Sequence, residues 1–182
     1  GPQDVVQALL AHGGTVIDTA PSYGQAESVL GDILSRNGQR KRVFLSTKLE
    51  HDSFDDEAAG LQSSLRRLQT DHVDLLQLHN VRDPNQTLTA LRALKSRGLC
   101  RYAGITTTFG GAYDAAEAIV KRERPDFLEI DYAIDNRKAE NRVLPAARNA
   151  GTAVLVALPF GRGRLFRRAL GKPLPAWAAE FV

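Results

Sequence analysis

The sequence predicts a parallel α/β fold in which strands and helices alternate along the whole chain. Three observations support this. Apolar runs of strand length recur, amphipathic helical segments separate them, and each run is continuously apolar rather than alternating between apolar and polar residues. Continuous apolar runs are typical of strands that helices cover on both faces, as in parallel sheets. The sheet is either open and doubly wound or closed into a barrel.

The first half of the chain alternates helix and strand three times. Apolar residues recur at helical spacing in each predicted helix, as Leu30, Ile33 and Leu34 do in the second one. Each strand is a short apolar run that ends in polar residues. In order, the elements are a helix near 4–11, a strand at 15–18, a helix near 26–36, a strand at 43–47, a helix near 55–68 and a strand at 73–79.

The second half repeats this alternation and carries clearer helix boundaries. Asp83 and Pro84 open a helix that Gly98 can cap, and Pro125 marks the break after a later helix. In order, the elements are a helix near 86–97, a strand at 101–106, a helix near 112–123, a strand at 127–132, a helix near 138–149 and a strand at 153–158. The tail at 172–182 has the composition of a further helix start.

The choice between an open sheet and a barrel depends on nucleotide-binding fingerprints and on length. No GxGxxG follows a predicted strand and no GxxxxGK[ST] occurs, which favours the barrel. A (β/α)8 barrel takes roughly 250 residues, whereas these 182 residues supply about six of eight units. We therefore expect residues 1–182 to form a single, incomplete barrel domain, with strands 15–18 and 153–158 as open edges about two strands apart.

Composition is typical of a globular domain with one core. The chain is 43% apolar and 25% charged, with a net charge of +3 from scattered basic residues, which disfavours a nucleic-acid partner. Cys100 is the single cysteine and excludes an internal disulfide. No apolar run approaches the ~20 residues of a membrane span. We expect a cytoplasmic protein, with an export signal upstream of residue 1 left open.

Four chemically active residues occupy matching places in this pattern. Asp18, Lys48 and His79 each close an apolar run, about one strand–helix unit apart, and Tyr23 follows Asp18 in a turn. Side chains at the same end of consecutive parallel strands converge on one site. Taken singly, each residue is as readily structural: a turn cap, a rim aromatic, a solvated strand end, a hydrogen-bonded histidine. Their coincidence predicts a shared pocket.

The four side chains suit protonation of a carbonyl oxygen. A phenol ionises near pH 10 and is a poor proton donor unless a neighbouring ammonium stabilises the phenolate. An aspartate would hold the ammonium in place, and a histidine would orient the carbonyl oxygen. No side chain delivers hydride, so the reaction requires a nicotinamide or a comparable cofactor.

Several longer motifs carry a resemblance to a known family. The phrases are GGTVIDTAPSYGQAESVLGDIL at 13–34, STK at 46–48, SLRRLQTDHVDLLQLHN at 64–80, LKSRGLCRYAGIT at 94–106 and LPFGRGRL at 158–165. Together they resemble the aldo-keto reductases. Within that family they are similar to a bacterial subgroup with a His-Asn pair and a PFG turn. The likeness is strong over 13–106 and looser afterwards.

The resemblance implies a (β/α)8 barrel that uses NADPH to reduce an aldehyde or ketone. Tyr23 would be the general acid and Lys48 the ammonium beside it. Asp18 would anchor Lys48, and His79 would orient the carbonyl. The small-molecule carbonyl itself, the choice between NADPH and NADH, and the oligomeric state are not readable from the sequence.

The cofactor contacts that the resemblance implies depart from the family pattern. Thr106 and Thr107 stand where the family usually has Ser-Asn, and Glu129 stands where it usually has Gln. A carboxylate accepts hydrogen bonds but donates only when protonated, so one contact to the nicotinamide carboxamide changes. Ala157 replaces an aromatic that stacks on the nicotinamide. The loop over the cofactor would contribute Phe160, Gly161, Arg162 and Gly163.

Two other functions stay open at this stage. One is a cofactor-binding regulatory subunit that keeps the barrel without turnover, which the altered carboxamide contacts mildly favour. The other is an inactive truncated barrel, because a six-stranded parallel sheet has two open edges. The intact set of Asp18, Tyr23, Lys48 and His79 favours catalysis over both.

Overall fold

The computed structural model describes residues 1–50, 54–173 and 175–180. Within these residues one sheet of six strands alternates with seven α-helices. The strands are β1 (Val16–Asp18), β2 (Phe44–Leu49), β3 (Val73–Leu78), β4 (Cys100–Thr107), β5 (Phe127–Asp131) and β6 (Ala153–Ala157). The helices are α1 (Pro2–Ala11), α2 (Ala26–Ser35), α3 (Phe54–Leu68), α4 (Thr89–Ser96), α5 (Tyr113–Glu123), α6 (Val143–Ala150) and α7 (Arg164–Ala169).

The strands are all parallel and follow one another in chain order, β1 to β6. A helix connects each strand to the next, so every connection is one strand–helix–strand unit. This confirms the predicted parallel α/β class. Because all strands run the same way, their carboxyl ends lie along a single edge of the sheet.

The sheet is curled rather than flat. Phe44 on β2 and Phe127 on β5 are three strands apart, yet their ring centroids lie 5.6 Å from each other. Flat strands spaced ~4.8 Å would separate them by roughly 14 Å. Tyr102 on β4 completes the cluster, 5.4 Å from Phe127. The concave face is therefore the interior of an incomplete (β/α)8 barrel. The rings of Phe44, Tyr102 and Phe127 close this interior at the amino ends of the strands and form its aromatic floor.

The ends of the sheet are β1 and β6, as the sequence predicts. The inner strands β2 to β5 are almost entirely buried, whereas β6 exposes Val154 and Val156 and β1 exposes Val16. Beside β1, a groove of about 590 Å³ runs between α1 and α2 and reaches Tyr23. Within the described residues, neither outer strand has a second hydrogen-bonded neighbour.

A buried ionic contact fastens α2 and α3 to the sheet. Glu27 accepts a hydrogen bond from Thr47 Oγ1 at 2.6 Å and one from Arg67 Nε at 2.7 Å. Burial of this carboxylate is tolerated because both partners donate to it. The helices also touch closely at Gly31, where a Cβ atom would lie 2.2 Å from the Arg67 carbonyl oxygen.

The C-terminal part differs from the sequence prediction. Helix α7 was not expected, because the segment is rich in Gly and Arg and has little helical periodicity. A 3-10 helix at Ala176–Glu180 occupies part of the tail where a further helix start was expected; positions 174 and 181–182 of that tail lie outside the described residues. None of the helices described is long and apolar enough to cross a membrane.

Candidate active site

The four residues singled out by their spacing lie together at the carboxyl edge of the sheet. Asp18 is the last residue of β1, Lys48 lies near the end of β2, and His79 directly follows β3. Tyr23 lies in the turn after β1, where its N–H donates to the Ala20 carbonyl at 3.1 Å. The register of three consecutive parallel strands and one turn therefore brings these side chains together.

Lys48 is the centre of the cluster. Its side chain is 1% exposed, and its ammonium forms a salt bridge with Asp18. It also donates to the Thr19 carbonyl at 2.9 Å. A buried ammonium requires such partners, because an unpaired charge in a low-dielectric interior is costly. The contacts fix the ammonium at the base of the pocket.

The Tyr23 ring lies over this ammonium and meets the His79 ring. Lys48 Nζ is 5.1 Å from the centroid of the Tyr23 ring. The rings of Tyr23 and His79 meet edge to face, with centroids 5.9 Å apart and an interplanar angle of 76°. Tyr23 is about half exposed. A phenol and an imidazole thus face the same space, open to solvent on one side and bounded by a buried cation on the other.

Glu50 lies behind the imidazole and was not anticipated from the sequence. Its Oε1 is 3.0 Å from His79 Nδ1. A carboxylate accepts a hydrogen bond, so Nδ1 carries the proton in this contact, and Nε2 is the nitrogen left for a substrate. With Nδ1 protonated, Nε2 donates a hydrogen bond only when the ring carries a second proton.

Glu129 on β5 is predicted from the sequence as a cofactor contact, but its contact with Lys48 was not anticipated. Its Oε2 is 3.6 Å from Lys48 Nζ and accepts a hydrogen bond from Gln77 Nε2 at 2.8 Å. Glu129 is buried. Burial and, next, the charge of Asp18 raise the pKa of its carboxyl above the usual value, although Lys48 opposes that change. The residue therefore faces the ammonium from the far side of the barrel interior.

Two carboxylates determine the protonation of Lys48. Burial by itself would lower the pKa of its ammonium, but the charges of Asp18 and then Glu129 outweigh burial and leave the pKa above 10.5. The amine is therefore protonated throughout the neutral range. A permanent positive charge beside Tyr23 is the electrostatic condition for a phenol that exchanges a proton.

The threonines of the predicted cofactor site have different partners. Thr106 pairs in register with Glu129, and its Oγ1 accepts the Asn80 N–H at 3.0 Å. The Thr107 hydroxyl lies 3.4 Å from the backbone N and O of Phe109. Successive strand residues point to opposite faces. Thr106 therefore shares the interior face with Glu129, while Thr107 holds the loop that follows β4.

The predicted cofactor loop follows β6. Gly161, Arg162 and Gly163 have φ angles of +56°, +54° and +79°. The N–H groups of Gly161 and Gly163 donate to the carbonyls of Leu158 and Phe160, at 2.8 and 3.1 Å, so these left-handed residues form tight turns. Gly161 and Arg162 line a cavity of about 200 Å³ that also includes Asp131, two residues beyond Glu129 on the same face of β5.

The other side chains of this loop are engaged locally. Phe160 is 55% exposed, and its ring packs on Phe166 with centroids 5.0 Å apart. Arg164 makes a two-point contact with Asp135, at 2.7 and 2.9 Å. Arg162 is exposed and lines the cavity. Among the described residues, no cluster of His, Cys, Asp and Glu is arranged to hold a metal ion.

Fold and site together define a class: parallel α/β barrel proteins with a phenol, an ammonium and an imidazole at the carboxyl edge. The sequence profile of the aldo/keto reductase family matches residues 2–175. The chain belongs to that family.

Named relatives agree with this assignment. The aldo-keto reductase YhdN of Bacillus subtilis is 29% identical over 178 residues, which are 89% of this chain and 53% of that protein. The aldo-keto reductase str7 of Strobilurus tenacellus is 30% identical, over 88% of this chain and 51% of its own length. The chain therefore spans about half the length of these curated relatives.

Solved structures show the same fold. An aldo-keto reductase from Klebsiella pneumoniae, crystallised in complex with NADPH, superposes with a TM-score of 0.78 at 29% identity, covering 92% of this chain and 61% of that one. The holo form of the Bacillus halodurans aldo-keto reductase AKR11C1 gives a TM-score of 0.77 at 29% identity, covering 96% of this chain and 61% of that one.

Proposed function

We propose that this chain carries the reducing centre of an NADPH-dependent aldo/keto reductase that converts an aldehyde or ketone into an alcohol. The observation that carries the proposal is the buried, doubly paired ammonium of Lys48 beside the half-exposed phenol of Tyr23. Such an arrangement places a proton donor at a solvent-accessible position beside a buried positive charge. The continuous sheet supports treating residues 1–182 as one domain.

Each residue of the cluster has a distinct role in this proposal. Tyr23 protonates the carbonyl oxygen as the carbonyl carbon is reduced. The His79 ring lies edge to face with Tyr23 and orients that oxygen, while Glu50 fixes the ring through Nδ1. Lys48 stabilises the phenolate that remains, and Asp18 holds Lys48. When bound, the nicotinamide supplies the hydride that no side chain can provide.

The residues around Glu129 fit a nicotinamide carboxamide. The carboxamide offers two N–H donors and one acceptor oxygen. Glu129 can accept from the amide nitrogen, and Thr106 Oγ1, which already accepts the Asn80 N–H, can donate its own hydrogen to the amide oxygen. Farther along the edge, Arg162 lines the cavity after β6 and would pair with a phosphate. The NADPH complex of the Klebsiella relative supports this choice of cofactor.

Substitution of Tyr23 by Phe tests the proposal in the whole protein. Carbonyl reduction should fall by at least about 10²–10⁴-fold, because the general acid is lost. NADPH binding, measured by quenching of protein fluorescence, should be retained, since the phenol oxygen is not a cofactor contact. Tyr102→Phe is the matched control: Tyr102 lies in the aromatic floor with Phe44 and Phe127, and the variant should keep its turnover.

Two outcomes would contradict the proposal. A Tyr23→Phe protein that reduces aldehydes at the wild-type rate would leave the cluster without a catalytic role. A wild-type protein that binds NADPH tightly but reduces no member of a broad panel of aldehydes and ketones would favour the regulatory subunit instead.

A further inference from the structure

We propose that Glu129 is a second positioning carboxylate of Lys48, sharing the ammonium with Asp18 and moving the working range of the proton-donating centre to higher pH. This inference rests on the proposed function, since it assigns a role within the same centre. Glu129 does not touch the reacting atoms in this proposal; it acts through Lys48.

The position of Glu129 depends on the curl of the sheet. Lys48 on β2 and Glu129 on β5 are three strands apart, yet their charged atoms are 3.6 Å from each other. Both side chains are nearly inaccessible to solvent. The ion pair therefore crosses the barrel interior, in contrast to the Asp18 pair, which joins neighbouring strands. Lys48 is held from two directions.

Gln77 fixes the carboxylate in that position. Its Nε2 donates to Glu129 Oε2 at 2.8 Å and to Ser46 Oγ at 3.1 Å, so the amide spans β2, β3 and β5. Gly104 is in register with Gln77, and a Cβ there would lie 3.2 Å from Gln77 Oε1. The space that this glycine leaves is occupied by the amide that orients Glu129.

The charges of the centre determine the direction of the effect. Lys48 with Asp18 alone is a neutral pair, whereas ionised Glu129 gives the group one net negative charge. A net negative charge opposes loss of a proton by the centre. The groups that face it from neighbouring elements are Asp18 on β1, Tyr23 in the following turn, Lys48 on β2, His79 after β3 with Glu50 behind it, and the non-titrating Thr106 on β4 and Leu155 on β6.

The first test is the pH profile of Glu129→Gln, which removes the charge and keeps the shape. The alkaline limb of kcat/KM for carbonyl reduction should move to lower pH by about one unit, the effect of a unit charge near an interior site at an effective dielectric of about 20. Glu117→Gln is the matched control, a buried glutamate that pairs with Lys121 and Arg142 away from the site. The alkaline limb of the Glu117→Gln profile should not move. Loss of activity in Glu129→Gln by one factor at every pH would overturn the proposal, because packing alone would explain it.

A double-mutant cycle tests the sharing of Lys48. Asp18→Asn should cost less in kcat while Glu129 is present than in the Glu129→Gln background, by about tenfold, since Glu129 still holds the ammonium. Equal losses in both backgrounds would show that Glu129 does not position Lys48.

A measurement on the cofactor-free protein separates this proposal from the reductase assignment. Carbon-13 NMR of glutamate carboxyls, with Glu129 identified by its absence in Glu129→Gln, should show its titration midpoint rise further in Lys48→Met, because the ammonium lowers it. An unchanged midpoint would overturn the pairing. A protein that shows this rise but reduces no carbonyl would retain the Glu129–Lys48 pair and lose the proposed function.

Discussion

At the scale of single residues, the charge of Lys48 links the site to the stability of the fold. Its folded-state pKa lies above the usual 10.5, because two carboxylates outweigh burial. A proton held more tightly in the folded state stabilises it, and this contribution is complete below the unfolded pKa. It is lost as the pH rises through the folded pKa.

The free energy of unfolding should therefore fall steeply above about pH 10.5 in the wild type. Lys48→Met removes the titrating group and should flatten this part of the profile, at the cost of lower stability at neutral pH. Urea unfolding at several pH values between 9 and 12 measures the difference. Lys121→Met, which removes an exposed lysine, should keep the wild-type slope; equal slopes in all three proteins would contradict the linkage.

The sequence predicted part of the site for a simple geometric reason. Asp18, Lys48 and His79 end consecutive strands, so their position along the chain fixes their position in space. The contact of Glu129 with Lys48 has no such local signal, since it depends on how far the sheet curls across three strands. Glu50 directly follows the strand of Lys48, but nothing in its spacing indicates that it turns towards His79.

At the scale of elements, helix periodicity and apolar runs predicted six strands and the helices between them, except that the helix expected near 138–149 begins only at Val143, after a 3-10 turn at Lys138–Glu140. The start of α4 at Thr89 rather than near 86 shows the limit, because Asp83 and Pro84 open a turn and not the helix itself. The sequence likewise did not predict the close contact of α2 with α3 at Gly31. It depends on two helices that are distant in sequence meeting at one backbone atom.

Two glycine substitutions test this packing in opposite directions. Gly31→Ala should destabilise the fold by about 1–3 kcal/mol, because its Cβ would overlap the Arg67 carbonyl of α3. Gly60→Ala lies within α3 and its Cβ would meet Leu49 Cδ2 at an ordinary 3.6 Å, so it should stabilise by about 0.5–1 kcal/mol. Thermal unfolding of both variants measures this. If both substitutions change the stability equally and only slightly, α2 and α3 can move apart at Gly31 without loss of stability.

At the scale of the whole molecule, the two open strands govern the solution behaviour of this chain. An unpaired strand presents free backbone groups and, here, the exposed side chains of Val154 and Val156. Such edges pair readily with other chains, and natural proteins often protect them with a lysine.

The 182-residue chain should therefore self-associate as its concentration rises, and Val156→Lys should reduce that association. Sedimentation velocity over a concentration series measures both. Ala59→Lys, which places the same charge on an exposed position of α3, should leave association unchanged. If the two lysine variants behave alike, net charge and not the edge controls association.

The strictly sequential order of the sheet has a consequence for protein synthesis. Each strand pairs with the one made just before it, and no pairing described waits for a segment made much later. As the chain leaves the ribosome, every new strand–helix unit finds a complete docking edge already present. Folding can thus keep pace with translation, and the part of the sheet that carries Asp18, Lys48 and His79 is assembled before Glu129 is made. The ion pair across the interior can form only after β5 has joined the sheet, so its formation follows the assembly of the first four strands.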